Sequence, residues 1–131
     1  SMYELKIISH FAAAHQLRNF GGKCEDLHGH NWKVEVYISG HNLEENGLLI
    51  DFKMIKNRTR EILEGLDHKF INDIKYFQEN NPSSENLARY IFDSLSHKMN
   101  NDQIRVSKVA VWESESACAT YIEPGATHNT T

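Results

Sequence analysis

The order of apolar patterns in this sequence predicts an α+β protein with the element order ββααββ. Apolar and polar residues alternate near the start of the chain, two segments with helical spacing follow, and alternation returns near the end. The chain has 131 residues, of which 40% are hydrophobic and 24% are charged, which is ordinary for one globular domain with one core. We therefore expect a single domain over residues 1–131.

The first two predicted strands lie before residue 41. Residues 3–17 alternate loosely, which leaves room for a bulge in the first strand. After a turn at Gly21 and Gly22, residues 31–40 alternate clearly between apolar and polar side chains. The apolar members of this second strand are Trp32, Val34, Val36 and Ile38.

Two helices are predicted in the middle of the chain. Asp51 stands at an N-cap position, ahead of a segment, residues 52–66, whose apolar residues have helical spacing. Residues 67–81 look irregular. The second helix begins within residues 82–85, and its apolar residues keep helical spacing at Leu87, Ile91, Leu95 and Met99.

Two further strands and a polar tail complete the predicted order. Residues 104–114 and 117–125 have the pattern of strands, joined by a short polar turn around residues 114–116. Ser1 followed by Met2 suggests a serine left after tag removal and then the natural start, so we expect no presequence. We expect a flexible tail after Gly125, in residues 126–131.

Charge, apolar runs and cysteines limit the classes of function. The formal net charge of -4 argues against a nucleic-acid binder, which usually carries a strong basic excess. The longest apolar runs are far shorter than the roughly 20 residues that a membrane helix requires, so we expect no membrane partner. Cys24 and Cys118 lie in dissimilar surroundings, and a reduced, cytoplasmic setting fits them best. Cys118 lies among small residues in a predicted strand, and we expect a buried, inert thiol.

Two histidines separated by one glycine indicate a metal site. On an extended backbone His28 and His30 project to the same side, and Gly29 leaves the opposite side uncrowded. His15, near the end of the first strand, can supply the third nitrogen of an open tetrahedral Zn2+ site with water as the fourth ligand. An isolated His-x-His pair is often a chance pairing or a surface feature, so this pattern alone does not establish a metal site.

Further reactive side chains lie near this pattern and at the ends of elements. Cys24 precedes the histidine pair by four residues, and its thiol can serve as a metal ligand, a nucleophile or a base. Asp67 can orient the imidazole of His68, although adjacent side chains usually point apart and a solvated pair at a helix end is an equal alternative. One carboxylate of Glu113 and Glu115 can accept paired N–H donors from a guanidine-like ring edge, unless both are simply exposed turn acids.

Five motifs occur in this chain in the order FAAAHQL, CEDLHGHNWKVEV, LDHKFIN, NPSSENLA and VAVWESESACATY. With them the chain resembles the 6-pyruvoyltetrahydropterin synthase and 6-carboxytetrahydropterin synthase family over nearly its whole length. The resemblance implies the tunnelling fold, in which a four-stranded antiparallel sheet carries two helices on one face. It also implies a homo-oligomer of stacked rings, commonly a hexamer, with active sites between subunits.

The same resemblance implies a role for each candidate residue. It places the zinc ligands at His15, His28 and His30. It places the catalytic cysteine at Cys24 and the proton relay at Asp67 and His68. Glu113 corresponds to the glutamate that anchors the pterin ring, ahead of Glu115. Ser83 and Ser84 correspond to small hydroxyl residues that contact the pterin, where threonine is frequent in relatives.

The substrate that the resemblance implies is 7,8-dihydroneopterin triphosphate, a phosphorylated reduced pterin. The short gap between Cys24 and His28 resembles that of the bacterial 6-carboxytetrahydropterin synthases of queuosine and deazapurine biosynthesis, whose reaction releases acetaldehyde as well as triphosphate. The alternatives within the family are a 6-pyruvoyltetrahydropterin synthase, which eliminates triphosphate, and a folate-pathway enzyme that uses a glutamate such as Glu25 in place of the cysteine. The non-enzyme alternative is a zinc-stabilised binding module in which Cys24 completes a Cys-His₃ site.

Overall fold

The computed structural model describes residues 2–18 and 26–125 and confirms the α+β prediction. Its strands are β1 (Tyr3–His15), β2 (His28–Gly40), β3 (Arg105–Ser114) and β4 (Ala117–Ile122). Its helices are α1 (Phe52–Glu64), α2 (Lys75–Glu79) and α3 (Ser84–Met99), with a 3₁₀ turn at Ile71–Asp73. The short α2 and the 3₁₀ turn lie in the segment that the sequence predicts to be irregular, so the predicted order holds with one short helix added.

The four strands form one antiparallel sheet in the order β1-β2-β3-β4. The pairing of β1 with β2 keeps a single register over the whole of β1. The first strand therefore has no bulge, although its loose alternation left room for one. Register shifts occur instead between Tyr37 and Ile38 in the β2–β3 pairing, and between Trp112 and Ser114 in the β3–β4 pairing.

Helices α1 and α3 cover one face of the sheet and bury the hydrophobic core against it. The four apolar residues predicted in β2 are all fully buried on this face. The opposite face is called the open face here, because no helix in the described residues covers it. Side-chain alternation places on the open face Lys6, Glu35, Tyr37, Lys108 and Trp112.

Both long helices begin at side-chain caps. Asp51 accepts a hydrogen bond from the amide of Lys53 at 2.8 Å, as its N-cap position predicts. Ser83 caps α3 by accepting a hydrogen bond from the amide of Asn86 at 3.1 Å. None of the helices in the described residues combines the length and the apolar character needed to cross a membrane.

The chain that follows α1 adds a short parallel stretch to the outer edge of β1. The amide of His68 donates to the carbonyl of Ala12 at 2.6 Å, and the amide of Ala14 donates to the carbonyl of Lys69 at 3.1 Å. The amide of Ala12 in turn donates to Oδ1 of Asp67 at 2.9 Å. These bonds close the outer edge of β1 near its C-terminal end.

Two asparagine side chains hold the chain that leaves β1. Asn72 Oδ1 accepts from the amide of Gln16 at 2.9 Å, and Asn72 Nδ2 donates to the carbonyl of the same residue at 2.7 Å. Asn81 makes the equivalent pair with Arg18, at 2.9 Å in both directions. Each side-chain amide thus replaces a strand partner and fixes the backbone directly after β1.

Cys118 is exposed, so the expectation of a buried thiol is wrong. It lies opposite Trp112 in the β3–β4 pairing, which directs its side chain to the open face. The small residues around Cys118 do lie in a strand, as predicted. No described residue covers the open face of that strand at Cys118, so the thiol is exposed.

Candidate active site

Three histidines meet at one end of the sheet, on the face that the helices cover. His15 lies directly opposite His28 in the β1–β2 pairing, and Ala13 lies opposite His30. Residues two apart on a strand share a face, and so do residues directly opposite each other on paired strands. The strand pairing therefore brings together the three residues that the sequence predicts as metal ligands.

The carboxylate of Glu113 lies among the three imidazole rings. Its Oε1 is 2.9 Å from Nε2 of His30 and 3.6 Å from Nε2 of both His15 and His28. The ligand atoms of the four side chains all lie within 4.8 Å of one another. Imidazole nitrogens with a carboxylate oxygen are a donor set that zinc and other divalent transition metals favour. These four residues form the candidate metal centre.

Backbone carbonyls orient two of these imidazole rings. Nδ1 of His15 lies 2.7 Å from the carbonyl oxygen of Pro82, and Nδ1 of His28 lies 2.8 Å from the carbonyl oxygen of Asp26. A carbonyl oxygen only accepts hydrogen bonds, so each Nδ1 carries a proton, and Nε2 is the ring nitrogen that is directed toward a metal. Outer hydrogen bonds of this kind are typical of metal-binding histidines.

The Nε2 atom of His15 fits a metal for a further reason. It is buried, and it has no hydrogen-bond partner among the described residues. An unpaired polar atom in the interior costs free energy, which a metal ion would offset by accepting the nitrogen lone pair. The donor set, the oriented rings and this buried nitrogen all fit a bound metal ion.

An apolar wall supports the candidate metal centre from the core side. The ring of Trp32 packs edge-on against the rings of His15 and His30, with centroids 5.0 Å and 5.2 Å apart. Trp32 is fully buried, stacks on Phe11 and donates through Nε1 to the carbonyl of Ala13 at 3.2 Å. This packing restricts movement of two of the three imidazoles and keeps water from that side.

Asp67 and His68 form a hydrogen-bonded pair after α1, separate from the candidate metal centre. His68 adopts a left-handed backbone conformation with φ of 58°, and its Nδ1 lies 3.0 Å from Oδ2 of Asp67. The two side chains therefore meet, although adjacent side chains usually point apart. The hydrogen bond from the Ala12 amide lowers the pKa of Asp67 below its usual value, burial opposes that shift, and His68 adds to it. Asp67 is accordingly ionised at neutral pH.

Comparison with known proteins places the chain in a family. The family model described as 6-pyruvoyl tetrahydropterin synthase matches residues 4–124. The chain belongs to this family. A putative 6-carboxy-5,6,7,8-tetrahydropterin synthase of Archaeoglobus fulgidus is 39% identical over 103 residues, which cover 78% of this chain and 84% of the relative. The 6-carboxy-5,6,7,8-tetrahydropterin synthase of Haemophilus influenzae is 30% identical and covers 93% of this chain and 100% of its own length.

Solved pterin synthase structures share the fold. The 6-pyruvoyl tetrahydropterin synthase of Caenorhabditis elegans has a TM-score of 0.82 at 25% sequence identity and covers 94% of this chain and 96% of its own. That of Plasmodium vivax has a TM-score of 0.74 at 25% identity and covers 92% and 97% respectively. The predicted four-stranded antiparallel sheet with helices on one face is therefore confirmed as the fold of a pterin synthase.

The two serines predicted to contact the pterin occupy different environments. Ser83 uses its hydroxyl as the N-cap of α3. Ser84, one residue later, donates its hydroxyl to Oε2 of Glu113 at 3.3 Å. Ser84 therefore contacts the candidate metal centre directly, whereas Ser83 caps the helix on which Ser84 lies.

Cys24, the predicted catalytic cysteine, and Glu25 lie outside the described residues. The described chain stops at Arg18 and resumes at Asp26, whose carbonyl accepts from His28. Of the two described residues that flank this segment, Arg18 is hydrogen-bonded to Asn81 and Asp26 to His28.

Some parts of the site have no local sequence signal. The carbonyl of Pro82 orients His15 from 67 positions away in sequence. A carbonyl is present at every residue, so no residue type marks it. The contact of Glu113 with the histidines depends on the register of β3, which the alternation of its residues does not specify.

Proposed function

We propose that this family member is a zinc-dependent lyase that converts 7,8-dihydroneopterin triphosphate to 6-carboxy-5,6,7,8-tetrahydropterin in queuosine and deazapurine biosynthesis. Triphosphate and acetaldehyde are the other products. The observation that carries the proposal is the convergence of three imidazole nitrogens and one carboxylate in a pterin synthase fold. The names of the relatives from Archaeoglobus fulgidus and Haemophilus influenzae, which specify the carboxy product, support the choice of reaction.

His15, His28 and His30 hold the metal in this proposal. Their three Nε2 atoms face one point, and three protein ligands leave a position open, as catalytic zinc sites require. When bound, zinc supplies Lewis-acid polarisation of substrate oxygen atoms. The packing of Trp32 against His15 and His30 keeps these two ligands in place while the substrate binds and leaves.

Glu113 anchors the pterin ring in this proposal. Its side chain is 36% exposed, so a ligand can reach it, and Ser84 orients one of its oxygens. A carboxylate can accept two parallel N–H bonds from the amino-imine edge of a pterin. With substrate bound, Glu113 therefore exchanges its contacts with the imidazoles for contacts with the ring, and Ser84 lies beside the same approach.

Cys24 and the Asp67–His68 pair transfer protons in this proposal. The Asp67 carboxylate keeps the proton of His68 on Nδ1, which leaves Nε2 to accept or deliver a proton. The His68 side chain is 81% exposed, and an exposed imidazole can serve an active site that is completed by another subunit. Cys24, as a thiolate, removes the proton from the substrate side chain.

The reaction is tested by mass spectrometry of the products formed from dihydroneopterin triphosphate by the purified, metal-analysed protein. We expect 6-carboxytetrahydropterin with acetaldehyde. A pyruvoyl product with triphosphate would instead assign the second candidate, a 6-pyruvoyltetrahydropterin synthase, which the name of the matching family favours. Unchanged substrate beside stoichiometric zinc would contradict both enzymes and favour a zinc-stabilised binding module.

Replacement of Cys24 separates the enzyme from the binding module. We expect Cys24→Ala to keep bound zinc and the fold but to lose turnover, because the three histidines suffice as ligands. Loss of zinc with residual turnover intact would contradict the role of Cys24 as a base. The variant His28→Ala serves as the reference, since it should lose zinc and activity together.

A cytoplasmic homohexamer is the assembly that accompanies this proposal. The sheet has two edge strands and an open face, and exposed sheet edges in proteins are usually paired or covered. Static light scattering on the purified protein measures the subunit number. A monomer that turns over substrate at the concentration of the assay would contradict an active site shared between subunits.

A further inference from the structure

We propose that Glu35 is a positioning residue that acts through Trp112 to fix Glu113 and so sets the affinity of the protein for the pterin ring. This inference rests on the proposed role of Glu113 as the pterin anchor. Glu35 lies on the open face of the sheet, whereas the candidate metal centre lies on the face that the helices cover. Its influence on the site therefore passes through the backbone of β3.

Glu113 is the extra residue of a β-bulge. In the β3–β4 pairing Trp112 lies opposite Cys118, and Ser114 lies opposite Ala117, the residue directly before Cys118 in β4. No residue of β4 is left to face Glu113. Its backbone thus lacks the strand partner that restrains its neighbours, and bulges of this kind redirect a side chain. The direction of the Glu113 carboxylate depends on what holds the bulge in place.

The indole of Trp112 holds the bulge from the open face. Its Nε1 donates to Oε1 of Glu35 at 2.6 Å, and the ammonium group of Lys33 lies 4.5 Å from the ring centroid. Trp112 pairs directly with Lys33 in the β2–β3 register, so both partners of the indole come from β2. A side chain fixed at two points restricts rotation of the peptide unit that joins Trp112 to Glu113.

Glu35 is a rigid acceptor for this bond. It is only 8% exposed, and its second oxygen accepts from Nζ of Lys6 at 3.2 Å. Burial would raise the pKa of Glu35, but the hydrogen bonds from Trp112 and Lys6 and the charges of Lys6 and Lys33 outweigh burial and hold its pKa below the usual value. The carboxylate is therefore ionised at neutral pH, and both of its oxygens are engaged.

The experiment measures the dissociation constant of the purified, metal-analysed protein for neopterin, a pterin without the triphosphate, by fluorescence titration. Trp112→Phe removes the N–H donor but keeps a ring beneath Lys33, and Glu35→Leu removes the acceptor at similar volume. We expect each variant to weaken neopterin binding by about 3- to 10-fold, and the double variant to be no weaker than either single one. Glu35→Gln keeps an acceptor oxygen and should restore most of the affinity.

Lys108→Met is the matched control, because Lys108 also places a cation over an aromatic ring on the open face, 4.5 Å from the centroid of Tyr37. This variant should leave neopterin binding unchanged. If Trp112→Phe and Glu35→Leu lower the melting temperature but not the affinity, Glu35 is merely structural and the inference is wrong. It is also wrong if Lys108→Met weakens binding equally.

Glu113→Ala distinguishes this failure from failure of the proposed function. If Glu113→Ala weakens neopterin binding while Trp112→Phe does not, only the role of Glu35 is contradicted. If Glu113→Ala binds neopterin as the parent protein does, the pterin anchor itself is wrong and the role of Glu35 is overturned with it.

Discussion

The imidazole of His15 should determine whether the protein binds the metal ion that the proposed function requires. Its side chain is 1% exposed, its Nδ1 is bound to the carbonyl of Pro82, and its Nε2 faces the other ligands. Because no other described side chain can replace a nitrogen at this buried point, we expect His15→Ala to lose bound zinc and at least 100-fold in turnover, on the order of the loss typical for an essential catalytic group. Elemental analysis and steady-state kinetics measure the two effects.

His10→Ala is the control for this substitution. His10 lies on the same strand but is exposed and faces away from the candidate metal centre. Its replacement should leave the zinc content unchanged. Retention of stoichiometric zinc by His15→Ala would mean that the metal is held by other residues.

Asp67 should contribute to the acid sensitivity of the fold. Its pKa is lowered in the folded state, mainly by the amide of Ala12. A lowered folded pKa gives a contribution that is present above the unfolded pKa, about 3.9, and is lost as pH falls through the folded value. The stability difference between the parent protein and Asp67→Asn should therefore be constant above about pH 5 and shrink below about pH 4.

Thermal unfolding across pH measures this difference. Asp102→Asn, which replaces an exposed aspartate in the turn before β3, is the matched control and should shift stability little at any pH. If the difference for Asp67→Asn instead grew as the pH fell, the sign of the pKa shift would be wrong.

Single residues differed in how well the sequence predicted them. The spacing of His28 and His30 fixed their common face, because alternation on a strand is a local rule. The proximity of His15 to this pair depends on strand register, and the β1–β2 pairing places His15 opposite His28. The burial of Cys118 was predicted wrongly, because alternation does not reveal which face of an edge strand is covered.

At the scale of an element, replacing either of the two serines at the start of α3 should change one property only, the stability of the fold or the affinity for the pterin. Ser83 caps the helix, and removal of an N-cap hydroxyl costs about 1 kcal/mol. Ser84 instead contacts Glu113. We therefore expect Ser83→Ala to lower the free energy of unfolding by about 1 kcal/mol with little change in pterin affinity, and Ser84→Ala to show the opposite pattern.

Urea unfolding and neopterin titration measure the two quantities. The paired variants control for each other, since both remove one hydroxyl from adjacent positions. If Ser83→Ala weakened pterin binding without loss of stability, direct contact of Ser83 with the ring would replace its capping role.

The long elements were predictable because each carries its own period. Apolar residues at period two define β2, and those at helical spacing define α1 and α3, whatever the rest of the chain does. The short helix α2 has too few residues to show a period. The asparagines on either side of it, Asn72 and Asn81, bind the backbone of the chain that leaves β1. The bulge at Glu113 arises from the pairing of two strands, which neither strand specifies alone.

At the scale of the whole molecule, metal binding should stabilise the fold. The three histidine ligands come from both β1 and β2, so a bound metal ion joins two strands of the sheet. An ion that binds the folded state only adds about 2.7 kcal/mol at a free concentration 100 times its dissociation constant. For a domain of this size, this corresponds to a rise in melting temperature of roughly 10 °C.

Thermal unfolding of chelated protein, with and without added zinc, tests this expectation. The shift should grow with the logarithm of the free zinc concentration and should be absent in His15→Ala, because a mass-action effect needs an intact site. A similar shift in His15→Ala would place zinc elsewhere on the protein. A shift that grows in this way in the parent protein, and is missing in the variant, would tie the stability of the sheet to the same three histidines on which the proposed chemistry depends.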